Sequence, residues 1–244
     1  MSIQFDKVQP KTKEQLKQLI NYAFKHDIYD LNFIDTSKIT DMSWLFENVK
    51  HNFDISSWDV SNVTNMSAMF YYCKFFDCDL SRWNVSNVTN MHALFCECYK
   101  FIGKGLEHWD VSNVTDMASM FYYCKKFDCD LSCWNVSNVT DMNHMFFSCK
   151  NFDIKCFESW NVSNVTNMTS MFAFCNKFDC DLSNWDVSNV TSMFFMFGHC
   201  KQFNCDLSHW NISEVKDMKN MFAGCDKMSI PNWYKKLYIV KNKI

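Results

Sequence analysis

Glycine and proline are nearly missing: 244 residues hold four glycines and two prolines. So few of the usual turn formers excludes a chain that bends on Gly-Pro loops, and leaves turns to Asn, Asp and Ser, whose side chains bond their own backbone. No run of 18 apolar residues occurs, so no membrane-spanning helix is expected. The N-terminus, Met1-Ser2-Ile3-Gln4-Phe5-Asp6-Lys7, lacks an apolar stretch followed by small residues, and on its residues alone the chain is expected in the cytoplasm. Charge of one sign is missing too: the formal net charge of −3 gives no reason to expect nucleic acid or an anionic membrane as a partner. No Cys-x-x-Cys pair is present, and no His, Ser and acidic residues recur together as a catalytic set. The chain is therefore expected to have no catalytic residues, no metal site and no cofactor.

What is there is repetition. Trp83-Asn84-Val85-Ser86-Asn87-Val88-Thr89-Asn90-Met91 recurs in variant form at Trp58, Trp109, Trp134, Trp160, Trp185 and Trp210, with steps of 25, 26, 25, 26, 25 and 25 residues. A constant period in this range is the signature of units that bury their apolar faces only against neighbours. Nine aliphatic or aromatic marks, from Leu31 and Ile55 through Leu207 to Ile230, delimit eight such units. Residues 1–27 are expected to form an N-terminal capping helix, with Leu16, Leu19, Ile20, Ala23 and Phe24 on one face of a helix over 12–26. Residues 28–229 are expected to form the repeats and 230–244 a C-terminal cap. Within a repeat, the alternation Phe76-Asp77-Cys78-Asp79-Leu80-Ser81 predicts a strand with Phe, Cys and Leu inward. Met66, Met69, Phe70 and Cys73 fall at i, i+3, i+4 and i+7, which predicts a short helix with Thr64 as its N-cap. The expected fold is an α/β repeat solenoid of about eight coils of 25–26 residues, its parallel sheet on the concave face and short helices on the other.

The fourteen cysteines follow the repeat. Cys73, Cys98, Cys124, Cys149, Cys175, Cys200 and Cys225 form one column, and are read as reduced thiols packing as small hydrophobes rather than as a disulfide framework. The methionine pairs, such as Met117 and Met120, are read as core. The Asn-Val-Ser and Asn-Val-Thr triplets match glycosylation sequons formally, but their place in every repeat reads as a ladder of side-chain amides bonding the next repeat's backbone.

The motif Phe-x-x-Cys-x-x-Phe-x-x-Asp-Leu-Ser-x-Trp-Asp-Val-Ser-Asn-Val-Thr-Asp-Met-x-x-Met-Phe, repeated over roughly residues 28–234, resembles the BspA-like leucine-rich-repeat surface proteins, which share a repeat with mycoplasma-type lipoproteins. The resemblance implies a leucine-rich-repeat-like solenoid, a bacterial or bacterial-parasite setting, and a cell-surface or secreted role in attachment to host or matrix proteins or in interaction generally.

Two sets of residues remain as candidate sites. Tyr71, Tyr72, Tyr122, Tyr123, Phe147, Phe174, Phe194 and Phe195 vary between repeats, so stacking does not demand them, and exposed aromatics commonly anchor protein interfaces. Acidic residues at the outward positions of the expected strands include Asp79, Asp128, Asp130, Asp179, Asp181 and Asp206, with Asp54, Asp77, Glu107, Asp153 and Glu158 continuing the row. Such a stripe either bonds the backbone of neighbouring coils or attracts a basic partner or a cation such as Ca²⁺. The expected function is a non-enzymatic protein–protein interaction scaffold, and the alternative is a Ca²⁺-binding module.

Overall fold

A computed structural model of the chain describes residues 7–151 and 157–241, with the side chains of 237–241 excepted. Asp153 of the expected acidic row, and the ends of both terminal segments, lie outside the described residues.

The expected N-terminal helix is present as α1, Lys13–Lys25. Thr12 caps it by accepting from the Gln15 amide at 3.3 Å, Glu14 lies in its first turn and Lys25 in its last, each suited to the helix dipole. Its inward residues Leu16, Ile20 and Ala23 are buried in the same apolar core as the repeats. Lys13 reaches from its first turn to Asp41 at 3.2 Å and to the Ser43 hydroxyl at 2.6 Å. At the other end, α2 spans Asn232–Lys241. Pro231 immediately precedes this helix, where its missing amide has no partner to lose.

Between α1 and α2 the α/β solenoid expected from the repeat is not found. The described residues there contain no sheet, and no helix beyond a single 3₁₀ turn at Leu106–His108. Parallel pairing is reduced to isolated bridges: one series runs Asp41, Asn65, Asn90, Asp116, Asp141, Asn167, Ser192, Asp217, and two more join Val8 to Ile34 and Asp30 to Asp54. Among the described residues there is thus no concave sheet face, no set of short helices opposite it, and no leucine-rich-repeat-like arrangement of the two.

The backbone shows why the expected helix fails. In the repeat that begins at Met117, every second amide leaves for the next repeat: Met117 to the Asp141 carbonyl, Ser119 to Asn143, Phe121 to Met145 and Tyr123 to Phe147, at 2.8–3.1 Å. The amides between them close four-residue turns within the repeat, Met120 to Met117, Tyr122 to Ser119 and Cys124 to Phe121. Nothing is left for the i−4 bonds of an α-helix. Two residues per repeat hold positive φ, as at Ser119 (57°) and Tyr123 (59°), a conformation that breaks a helix. The helical spacing of Met117, Met120, Phe121 and Cys124 is nonetheless honoured in burial, since all four are inaccessible. Thr64 is no N-cap: its amide and hydroxyl both donate to the Thr40 carbonyl of the preceding repeat. Asp116 and Asp141 each close a local turn by accepting the amide two residues on.

The expected strand fails for a different reason. Phe76, Cys78 and Leu80 are buried and Asp77 is exposed, so the inward–outward alternation holds. Side chains, however, take the place of the backbone ladder. Asn52 accepts the Asp77 amide at 3.0 Å, Asp77 accepts the Ile102 amide at 3.3 Å, and the Cys205 sulfur accepts the Leu182 amide at 3.2 Å. Only scattered backbone bonds such as Leu80 to Lys104 remain, too few to define a sheet.

Side chains tie the repeats together through equivalent positions. The indole of each tryptophan from Trp58 to Trp233 donates to the repeat before it, as Trp134 does to the Leu106 carbonyl at 2.8 Å. The Asn138 amide donates to the Ser112 carbonyl at 2.6 Å, so an asparagine ladder exists but runs to the preceding repeat and not, as expected, to the next. The cysteine column donates likewise, Cys149 to the Phe121 carbonyl at 3.0 Å. The described cysteines are all free thiols. One phenylalanine per repeat, from Phe46 through Phe121 to Phe222, stacks on the next with centroids 5.4–5.8 Å apart and planes within 10°. Offset stacking of this kind adds to simple area burial.

Candidate functional site: an aromatic row over the turns

The turns just described set the candidate aromatic residues on the surface. Tyr71, Tyr72, Tyr122, Tyr123, Phe147, Phe174, Phe194 and Phe195 are all half-buried. Tyr71 and Tyr122 rest on a small apolar cluster of Ala68, Ala93 and Cys96, separate from the main core. The rings meet one another across repeats. Tyr122 lies 4.9 Å from Phe147, Phe147 lies 5.3 Å from Phe174, Phe174 lies 5.7 Å from Phe195, and Phe195 lies 6.2 Å from Phe194. Tyr71 contacts Tyr72 at 5.2 Å. The structure adds Trp44, 45% exposed and 5.5 Å from Tyr71, which extends the row into the first repeat. Sequence reading passed over Trp44 because it falls in the degenerate first repeat.

Polar groups bridge the interval between Tyr72 and Tyr123. Tyr99 donates its hydroxyl to Glu97, a bond that holds the phenol proton well above its usual range. Lys74 sits over the rings of Tyr72 and Tyr99 at 5.0 and 5.3 Å, and Lys125 over Tyr99 at 4.1 Å and Tyr123 at 6.0 Å. Neither Tyr99 nor these lysines were singled out as a site in the sequence. The signal was available: Lys74 and Lys125 occupy one register position, two repeats apart.

The acidic candidates are drawn into local turns. Asp79, Asp130, Asp181 and Asp206 each accept the amide of the serine two residues on, at 2.9–3.0 Å. Asp179 accepts the Asn204 amide of the next repeat at 3.1 Å. Asp79 also pairs with Lys104 at 2.7 Å, and this bond with the Ser81 contacts holds its carboxyl down to about 2. Asp128 is exposed, its amide bonded to the Ile102 carbonyl. Shallow depressions bring some of these residues together, one lined by Asp179, Asp181, Asn204 and Asp206 and another by Asp128 and Asp130. Among the described residues no three His, Cys, Asp or Glu side chains gather as metal ligands.

A family model described as "Mycoplasma protein of unknown function, DUF285" matches residues 14–133, 102–155 and 153–238. The chain belongs to the DUF285 family. A search of curated proteins found no match for this DUF285 chain, and neither did a search of solved structures. Among its described residues, no helix is long and apolar enough to cross a membrane.

Proposed function

We propose that this DUF285 chain is a non-enzymatic protein-interaction module that engages its partner through the aromatic row between Tyr71 and Phe195. One observation carries the reading: half-exposed rings in ring-to-ring contact run from Tyr122 through Phe147 and Phe174 to Phe195, on residues that the repeat itself does not require. Tyrosine and phenylalanine offer large contact area with few torsions to freeze, which suits them as anchors. The narrower kinship with BspA-like surface proteins, and an adhesin-like role toward host or matrix proteins, belong to the same proposal. They rest on the repeated Trp-Asp-Val-Ser-Asn-Val-Thr motif.

Photo-crosslinking tests it. Benzoylphenylalanine placed at position 123 should capture a partner protein, whereas the same group at position 138, in the asparagine ladder, should not. Equal capture from both positions, or capture from 138 alone, would refute the assignment of this face.

A further inference from the structure

The asparagines of the repeat fall into sets that the sequence alone does not separate. Twelve Asn-x-Ser or Asn-x-Thr triplets occur, none with proline in the middle. In six of them, Asn62, Asn87, Asn113, Asn138, Asn164 and Asn189, the side-chain nitrogen is in use. Each Nδ2 donates to a serine carbonyl of the preceding repeat at 2.6–2.9 Å. Asn65 and Asn167 are half-buried in the series of bridges. The remaining four, Asn84, Asn135, Asn161 and Asn211, stand one residue past a tryptophan and are exposed.

In these four only the side-chain oxygen has a structural task. Each Oδ1 accepts the amide of the serine two residues on at 3.1–3.2 Å, closing a local turn. The four Nδ2 atoms have no partner among the described residues, and neither do the hydroxyls of Ser86, Ser137, Ser163 and Ser213. Other repeats show that the nitrogen is dispensable there. Asp59, Asp110 and Asp186 fill the same register position and accept the same serine amide at 3.0 Å, although a carboxylate has no N–H to offer. Folding needs an acceptor at this position and has no use for a donor.

An exposed primary amide with an unengaged nitrogen, two residues before an unengaged hydroxyl and on a turn, has the chemistry of an acceptor for asparagine-linked sugar. The two sets differ sharply in what modification would cost. A sugar on Asn138 would displace its bond to the Ser112 carbonyl, one of the ties between repeats. A sugar on Asn135 displaces nothing, because the bond that Asn135 makes uses its oxygen. The fold therefore sorts one sequence motif into closed and open acceptors.

From this division we infer that Asn84, Asn135, Asn161 and Asn211 are N-glycosylation sites of the folded chain, and that the ladder asparagines are not. The co-substrate is a sugar activated at C1 by a phosphate leaving group. Nδ2 bonds to C1 as the C1–O bond breaks, the departing phosphate takes that electron pair, and one Nδ2 proton passes to the transferase. All four sites share one register position, so the sugars line a single edge of the array. None of the four belongs to the aromatic row, and the two readings stand or fall separately.

Mass spectrometry of the chain isolated from the cells that produce it, with electron-transfer fragmentation to place each sugar, tests it. Peptides holding Asn84, Asn135, Asn161 and Asn211 should carry sugar on those asparagines, and peptides holding Asn87, Asn113, Asn138 and Asn189 should carry none there. Single hexoses would support a nucleotide-activated donor, and a preassembled oligosaccharide would support a lipid-carried one. The variant Asn84→Asp/Asn135→Asp/Asn161→Asp/Asn211→Asp should lose all asparagine-linked sugar. Made in a host without an asparagine glycosyltransferase, it should melt within about 2 °C of the wild type. A larger fall would overturn the claim that these nitrogens are structurally idle. No sugar on any of the four, as much sugar on the ladder asparagines, or sugar on lysines alone, as in non-enzymatic glycation, would each overturn the inference.

Discussion

Replacing Trp134 separates the two ways in which a repeat holds its neighbour. The side chain is 3% exposed, its indole donates to the Leu106 carbonyl at 2.8 Å, and its ring lies 6.3 Å from Phe121. The Leu106 carbonyl also accepts the Trp109 amide at 3.1 Å, so it is not orphaned when the indole is removed. Trp134→Phe should therefore lose one net hydrogen bond, about 1 kcal/mol. A further ~1–2 kcal/mol should follow from incomplete filling of the site, for about 2–3 kcal/mol in all. Trp134→Ala leaves a much larger void and should destabilise by about 3–5 kcal/mol. Urea unfolding of both variants, followed by far-ultraviolet circular dichroism, measures the two values. Because neighbouring repeats share one core, the alanine variant should also speed amide exchange in the repeats on either side. A loss under ~1 kcal/mol in the alanine variant would refute a buried tryptophan column. Equal losses in the two variants would show that the indole bond outweighs packing.

Other outcomes follow from the same contacts. Ser119→Gly relieves a left-handed residue and should stabilise by up to about 1 kcal/mol after the greater entropy of the unfolded glycine is offset, whereas a marked drop in melting temperature would deny the positive φ. Burial pushes the Cys73 and Cys175 thiols up to about 12, so both should resist alkylation at neutral pH while exposed Cys133 reacts readily; fast labelling of the column would contradict its burial. The Asp116 carboxylate, 3.7 Å away, raises the His92 pKa. A raised histidine pKa stabilises the fold below about pH 6.5 and loses that effect as pH rises through the folded value, so the melting-temperature gap between wild type and His92→Gln should narrow from pH ~5.5 to ~8. A gap that widens would reverse the sign of the coupling.

Much of the interior was legible because burial alternates by residue type. Trp83, Val85, Val88, Met91 and Phe95 are each at most 4% exposed, as the repeat implied, and α1 fell within a residue of its expected ends. The regular structure was not legible. Met66, Met69, Phe70 and Cys73 have helical spacing, but a succession of tight turns also turns those four side chains inward. Only the positive φ at Ala68 and Tyr72 distinguishes the two geometries, and neither residue type announces it. Asp77 and Asn52 look like outward strand positions, yet they act as acceptors for neighbouring amides and so replace a sheet ladder. Of the candidate sites, the aromatic set was readable because its members depart from the repeat. The contacts that join it, with Trp44 and through Tyr99, Lys74 and Lys125, depend on distances that no single repeat encodes.

The central structural claim is that alternate amides of each turn segment are bonded to the next repeat rather than within a helix. Scalar couplings across hydrogen bonds, measured by nuclear magnetic resonance on deuterated, ¹⁵N,¹³C-labelled protein, read the partners directly. The Phe121 nitrogen should couple to the Met145 carbonyl carbon, and the Tyr123 nitrogen to that of Phe147. Coupling of Phe121 to Met117, the i−4 partner of an α-helix, would contradict the account.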